Sequence, residues 1–276
     1  MGSNEQRRKE AMQKLEKELS RRERAEKTKP LGVVVATLAI LALIVGGIWW
    51  ATTLGGDDED VTAQEDPLEQ DLEPLSMSRA NALPDTVTCD YADAGEPSRE
   101  VSAPNGEDVP ATGTVTVTLV TNQGDIEMQL DRALSPCAVN SMEHLANEGF
   151  YDDTVCHRMT SGNLNVLQCG DPTGEGTGGP GYQFADEYPT DELNPATTVT
   201  YPEATIAMAN SGPGTNGSQF FLNYADGMLP PAYSALGVIT ADGMETLAAI
   251  GEKGVEDGQL DGAPAEEVRI ERVTVG

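Results

Sequence analysis

Four cysteines and two histidines are the side chains of this 276-residue chain best suited to redox or metal chemistry. No two cysteines form a Cys-x-x-Cys pair, and no Cys/His group has the spacing of a zinc site. The acidic run at 57–60 lacks the glycine and the terminal glutamate of an EF-hand loop, which argues against calcium. The sequence therefore predicts no metal site and no cofactor.

The cysteines are better explained as disulfide partners. An even number favours disulfides in an oxidising compartment, and four cysteines allow three connectivities. The residues are Cys89, Cys137, Cys156 and Cys169.

Charge is divided unevenly along the chain. Residues 1–30 hold ten basic and six acidic side chains, whereas the chain from Asp57 onward holds 40 acidic and seven basic ones, a net charge of −33. So acidic a field repels phosphate backbones. Nucleic-acid binding by the C-terminal part is therefore excluded.

An apolar segment without any ionisable residue, Leu31 to Leu54, separates the two charge regimes. As a helix it would span about 36 Å, enough to cross a hydrocarbon core of about 30 Å with some tilt. The basic stretch before it favours a cytoplasmic N-terminus. A cleavable signal peptide fits less well, because the apolar run is too long and no small-x-small cleavage site follows. The sequence predicts a single-pass protein of the cell membrane with an extracellular C-terminal domain.

This division gives four predicted regions. Residues 1–30 form a basic cytoplasmic segment and residues 31–54 a transmembrane helix. Residues 55–84 form an extended acidic linker, because they combine acidic runs and prolines with almost no core-forming side chains. Residues 85–276 form a globular domain whose core is 112–276.

Hydrophobic patterning predicts the elements of this domain. Apolar and polar residues alternate over 113–130 on both sides of Asn122-Gln123-Gly124, which indicates a β-hairpin. Ser135 followed by Pro136 is a typical helix start, and Gly149 ends that helix. A second helix is predicted over 242–250 and a closing strand over 268–275. Short strands between them indicate a mainly β domain, a barrel capped by two helices.

Three segments of the domain have a distinctive sequence: FYDDTVCHRM (150–159), QCGDPTGEGTGGPGYQFADE (168–187) and IAMANSGPGTNGSQFFLN (206–223). In their order and spacing they strongly resemble the cyclophilin family of peptidyl-prolyl cis–trans isomerases. The resemblance covers Thr112 to Val275 and is greatest to membrane-anchored actinobacterial cyclophilins. It implies a closed eight-stranded antiparallel barrel with a helix at each open end. It also implies isomerisation of X–Pro bonds in proline-containing polypeptides outside the membrane.

The resemblance also assigns roles to individual residues. Arg158 matches the catalytic arginine, whose donor would stabilise the twisted amide, and Gln168 matches the glutamine that steadies it. The other residues at matching substrate-binding positions are Ala209, Asn210, Gln219, Phe221, Leu229 and Tyr233, with Asn165 and Val166 at the pocket wall. His157 is interpreted as a structural residue rather than a general base.

Departures from the family pattern concentrate at the pocket. Asn165 stands where relatives carry an aromatic wall, and Leu236 stands where a phenylalanine packs. Met228 or its neighbour replaces a tryptophan. Leu164 is an alternative wall residue, because the loop from Ser161 to Asn165 is longer than in familiar cyclophilins. These departures predict a weakened proline pocket and weak cyclosporin binding. They leave open a second function, a catalytically weak proline-peptide binding module or chaperone.

The same resemblance implies which cysteines pair. Cys156 and Cys169 would lie on neighbouring strands beside Arg158. Cys89 would then join the N-terminal extension to the helix start at Cys137. A monomer is expected, with the membrane helix and client polypeptides as its contacts.

Overall fold

The computed structural model describes residues 72–276. The predicted segment 1–30, the predicted transmembrane helix 31–54 and residues 55–71 of the predicted linker lie outside these residues. No helix in the described part of the chain is long and apolar enough to cross a membrane.

The described chain is mainly β. The strands are β1 (Thr86–Val87), β2 (Ala92–Asp93), β3 (Val109–Pro110), β4 (Thr114–Thr121), β5 (Gly124–Asp131), β6 (Thr154–Val155), β7 (Arg158–Thr160), β8 (Val166–Cys169), β9 (Tyr182–Gln183), β10 (Val199–Tyr201), β11 (Thr205–Met208), β12 (Phe220–Asn223), β13 (Gly227–Leu229), β14 (Ala235–Ile239), β15 (Asp261–Gly262) and β16 (Arg269–Val275). The helices are α1 (Pro136–Asn147) and α2 (Ala241–Lys253), and a 3₁₀ turn follows at Glu256–Gly258.

Ten of these strands form one antiparallel sheet in the order β15-β7-β8-β12-β11-β14-β5-β4-β16-β6. Eight of them have three or more residues, and the two-residue strands β15 and β6 lie at the ends of this order. Strand β6 is separated from β7 by only Cys156 and His157. Within residues 72–276 three further pairs form separate two-stranded sheets, β1-β3, β2-β9 and β10-β13.

The predicted hairpin is confirmed. Strands β4 and β5 pair in unbroken register from Thr114 opposite Asp131 to Thr121 opposite Gly124. Every second residue faces the core, because side chains alternate across a strand. These residues are Val115, Val117, Leu119, Ile126, Met128 and Leu130, all buried.

Helix α1 begins at the predicted proline, but its N-terminal cap differs from the prediction. The Ser135 side chain makes no capping hydrogen bond. The Glu187 carboxylate accepts the N–H groups of Cys137 and Ala138 instead, at 3.0 and 2.9 Å. A carboxylate is a stronger acceptor for these N–H groups than the Ser135 hydroxyl, since its charge also interacts favourably with the helix dipole. In α2 the Thr240 side chain does accept from Gly243 N–H, and the helix extends three residues beyond the predicted end.

Residues 72–84, the end of the predicted linker, lie against the domain. Leu75 is buried, and its N–H donates to the carbonyl of Thr200 at 2.7 Å. Arg79 donates to the carbonyl of Leu134 and pairs with Asp191 at 2.7 Å. The prediction went wrong here because one buried leucine and one ion pair hold a segment whose composition is that of a linker.

Both disulfides have the expected partners. Cys89 is bonded to Cys137, 48 positions away, and Cys156 is bonded to Cys169, 13 positions away. The first joins the segment before β4 to the start of α1, and the second joins β8 to the residues before β7.

Candidate active site

Arg158 and Gln168 lie side by side on one face of the sheet. They are direct partners in the antiparallel register of β7 and β8, so their side chains leave the sheet on the same side. Nη1 of Arg158 donates to Oε1 of Gln168 at 3.1 Å. The strand pairing therefore places Arg158 opposite Gln168. The Cys156–Cys169 disulfide joins the chain just before Arg158 to the chain just after Gln168.

A second glutamine fixes the orientation of the first. Nε2 of Gln168 donates to Oε1 of Gln219 at 2.9 Å. Nε2 of Gln219 donates in turn to the carbonyls of Gly176 and Gly178, both at 3.0 Å. The carbonyl oxygen of Gln168 must therefore face Arg158, which turns a flexible amide into a fixed acceptor for the guanidinium.

The other edge of the guanidinium is bound by a carboxylate that the sequence did not indicate. Nε and Nη2 of Arg158 donate to the two carboxylate oxygens of Asp261, each at 2.8 Å. These bonds raise the pKa of the guanidinium, and they lower the pKa of Asp261 below its usual value. Arg158 is therefore cationic and paired with a carboxylate, and it also contacts Gln168 and lines a cavity.

Arg158 forms one wall of a small cavity of about 130 Å³. Phe221 is 5% exposed and packs edge-to-face against Tyr233, with ring centroids 5.7 Å apart. The backbone carbonyl of Tyr233 accepts the hydroxyl of Tyr201 at 2.9 Å. The lining residues are Arg158, Leu164, Val166, Gln168, Ala209, Asn210, Phe221, Leu229 and Tyr233. A cavity that combines apolar side chains with one cation at its wall suits a small ring attached to a polar backbone.

The structure corrects the position of Asn165. Its amide turns into its own loop, donating to the carbonyls of Gly162 and Asp226 at 3.0 and 2.8 Å. Its side-chain oxygen accepts from Gly162 N–H, so every major hydrogen-bonding group is satisfied away from the cavity. Leu164 lines the cavity in its place, as the alternative allowed. Leu164 packs closely against Gly227, since a Cβ at position 227 would lie 2.9 Å from its Cδ1.

Two other departures from the family pattern do not line the cavity. Leu236 is fully buried and packs in the main core of the sheet. Met228 is 41% exposed beside Leu229.

The side chain of Asn210 holds its own loop. Its amide donates to the carbonyl of Ala232 at 2.8 Å, and its oxygen accepts from Gly212 N–H at 3.2 Å. Asp186 supports the same loop by accepting from Gly214 N–H and from the Asn216 amide, both at 2.8 Å. Recognition by Asn210 would therefore fall to its main chain. Asp186 was not singled out from the sequence, because acidic residues are too common in this chain to draw attention.

Gln219 lies away from the small cavity, in a neighbouring one of about 420 Å³. Gln168, Ala209 and Asn210 line both cavities. Ala94 and Glu96, which precede the core of the domain in sequence, form part of the wall of the larger one.

His157 has no catalytic geometry. Neither of its ring nitrogens bonds a group within residues 72–276, and burial lowers its pKa. A neutral, packed imidazole matches its interpretation as a structural residue. In the same part of the chain no three His, Cys, Asp or Glu side chains are grouped as metal ligands.

Comparison with known proteins places these features in one family. The family described as "Cyclophilin type peptidyl-prolyl cis-trans isomerase/CLD" matches residues 116–275. The chain is 50% identical over 193 residues to "Probable peptidyl-prolyl cis-trans isomerase B" of Mycobacterium leprae, and 49% identical over 195 residues to the protein of that name in Mycobacterium tuberculosis H37Rv. The matches cover 67% and 68% of this chain and 65% and 63% of the relatives.

A solved cyclophilin-type peptidyl-prolyl cis-trans isomerase from Cryptosporidium parvum is 31% identical and covers 59% of this chain and 98% of its own, with a TM-score of 0.49. The family match spans more than half of the chain. The chain belongs to the cyclophilin family. It spans a little under two thirds of the length of the two mycobacterial relatives.

Proposed function

We propose that the domain catalyses cis–trans isomerisation of X–Pro bonds in polypeptides, with Arg158 as the catalytic residue. The observation that carries the proposal is the position of Arg158: it lines a cavity that also contains apolar side chains, and its guanidinium is oriented by Gln168. The family match and the names of the mycobacterial relatives support the same reaction.

The reaction requires no nucleophile and no proton transfer. Rotation about the amide breaks its resonance against a barrier of about 18–20 kcal/mol. In the twisted state the proline nitrogen becomes pyramidal and can accept a hydrogen bond, which it cannot do in either planar state. A fixed donor aimed at that nitrogen therefore stabilises the transition state selectively.

Each wall of the cavity has a part in this scheme. The proline ring would rest on Phe221 between Leu164, Val166 and Leu229, out of water. The main chain at Ala209 and Asn210 would hydrogen-bond the extended peptide. Gln168 would keep the guanidinium facing the ring. Burial of the ring supplies binding, and the arginine supplies rate.

A catalytically weak binding module or chaperone is the second candidate. Asp261 favours it, because this carboxylate occupies two donors of Arg158. Prolyl exchange spectroscopy on an X–Pro peptide with the full chain in detergent separates the two. Accelerated exchange that is lost in Arg158→Ala supports the enzyme, and binding without acceleration supports the module.

We also propose that the sheet closes into an eight-stranded barrel. The strand order ends with β7 and β15 on one side and with β6 on the other. Only Cys156 and His157 separate β6 from β7 in sequence. Cys156 N–H donates to the carbonyl of Val268, just before β16, at 2.9 Å. Slow amide exchange at Cys156, equal to that of the sheet interior, would support closure, and fast exchange would contradict it.

The place of action proposed is the outer face of the cell membrane, with residues 31–54 as the single span and 1–30 in the cytoplasm. The apolar segment, the charge asymmetry and the two disulfides support it. The domain proper would include residues 72–84 as well, because Leu75 and Arg79 in this segment pack against it. Protease added to intact cells should digest the domain and spare an N-terminal tag, and a protected domain would contradict this orientation.

A further inference from the structure

Asp261 binds the proposed catalytic cation by two charge-assisted bonds. A guanidinium has five N–H groups, of which Asp261 takes one from Nε and one from Nη2 and Gln168 takes one from Nη1. Nη1 and Nη2 each retain one further N–H. The donors that remain are on the two terminal nitrogens, and Arg158 lines the cavity.

The position of Asp261 is fixed by backbone pairing. Strand β15 pairs antiparallel with β7, so that Asp261 lies opposite Thr160 and Gly262 opposite Met159. The carbonyl of Leu260 accepts from Ser161 N–H at 2.9 Å, which extends this pairing by one residue. The chain after the 3₁₀ turn therefore brings Asp261 back, 103 positions from Arg158, to the strand that carries the arginine.

The ion pair contributes little to folding. The side chains of Arg158 and Asp261 are 41% and 57% exposed, and pairs exposed to this degree add little to the free energy of unfolding because water screens them. A bidentate carboxylate nevertheless restricts the orientation of a guanidinium much more than one neutral amide does. An effect on geometry without an effect on stability is what separates a positioning residue from a structural one.

We propose that Asp261 is a positioning residue for the isomerase reaction, holding the Arg158 guanidinium in the plane from which its free donors reach the twisted proline nitrogen. The inference rests on the proposed function, because it needs Arg158 to act in the transition state. Asp261 does not touch the substrate. Its loss should lower kcat and leave KM almost unchanged, because the arginine–nitrogen bond exists only in the twisted state.

The test compares four variants of the full chain with both disulfides intact: Asp261→Ala, Asp261→Glu, Arg158→Ala and Glu266→Ala. Glu266 is the matched control, since it pairs with Lys253 at 2.8 Å on the exposed surface away from the cavity. We expect Asp261→Ala to lower kcat about tenfold with KM within about twofold, and Asp261→Glu to restore most of the rate. The Nε–H resonance of Arg158 should be slow to exchange with water in the wild type and fast in Asp261→Ala.

The outcomes are distinct. Wild-type rates in Asp261→Ala would overturn the positioning role while leaving the isomerase intact. A faster Asp261→Ala would also overturn it and would show that the carboxylate merely neutralises the cation. A wild type without activity, or an Arg158→Ala variant as active as the wild type, would overturn the proposed function itself. Equal losses in Glu266→Ala and Asp261→Ala would assign the effect to surface charge and contradict the proposal.

Discussion

Removal of the two disulfides should separate stability from activity. In the loop-entropy account, cross-linking across 48 positions contributes about 4 kcal/mol and across 13 positions about 3 kcal/mol. Loss of Cys89–Cys137 should therefore lower the free energy of unfolding by about 1 kcal/mol more than loss of Cys156–Cys169 does. The effect on activity should have the opposite order. Loss of Cys156–Cys169 should lower kcat more than loss of Cys89–Cys137, because only Cys156–Cys169 lies next to Arg158 and Gln168.

The assay uses two double variants, Cys89→Ala/Cys137→Ala and Cys156→Ala/Cys169→Ala. Urea unfolding gives the two free energies, and prolyl exchange at a temperature where both variants are folded gives the two rates. We expect a severalfold lower kcat in the Cys156/Cys169 variant and a nearly unchanged kcat in the other. Equal rates, or a larger loss in the Cys89/Cys137 variant, would refute the idea that this bridge helps to fix the catalytic pair.

Three further predictions follow from the packing. Asn165→Phe should not raise kcat/KM, and it should destabilise the domain by about 1–3 kcal/mol because it removes the amide that donates to two loop carbonyls. Leu164→Ala should instead raise KM, because Leu164 lines the cavity. Leu75→Ala should lower the free energy of unfolding in urea by about 2 kcal/mol or more, since Leu75 is buried against the domain. An unchanged unfolding midpoint would show that residues 72–84 behave as a linker. Glu187→Gln should remove the loss of stability that the wild type shows as the pH rises from about 4.5 through about 7.

The sign of that pH dependence follows from the environment of Glu187. Removal from water raises the pKa of this carboxyl from its ordinary 4.5 to about 7, against the opposing effect of two helix N–H groups and Arg79. A raised pKa means that the folded state binds the proton more tightly than the unfolded one. The extra stability is therefore complete below about pH 4.5 and is lost as the pH rises through about 7. It amounts to at most about 3 kcal/mol, and a wild type that grows more stable over this rise would contradict it.

The parts of the fold that the sequence predicted are those set by local pattern. Alternating residues at 115–130 specify the β4–β5 hairpin because one face of it must be buried. Pro136 and Gly149 mark the ends of α1 through chemistry that acts within a few residues. Arg158 and Gln168 were instead assigned from the family resemblance, and the register of β7 and β8 places them opposite each other.

What the sequence missed depends on long-range contacts. Glu187 replaces Ser135 as the cap of α1 from 50 positions away, and Asp261 reaches Arg158 from 103 positions away. In a chain this rich in acidic residues no pattern separates these two from the others. Asn165 was misplaced because a loop of glycine and asparagine can turn either of two neighbouring side chains inward, and only satisfaction of the amide decides between them.

The role proposed for Arg158 is to accelerate rotation about the X–Pro bond rather than merely to bind the peptide. Prolyl cis–trans exchange on an X–Pro peptide tests this role with the wild-type chain beside Arg158→Ala and Arg158→Lys. We expect a fall of roughly a hundredfold or more in kcat/KM for alanine, incomplete rescue by lysine, and peptide affinity within a few fold of the wild type. Exchange in Arg158→Ala at the wild-type rate, with the same affinity, would contradict it.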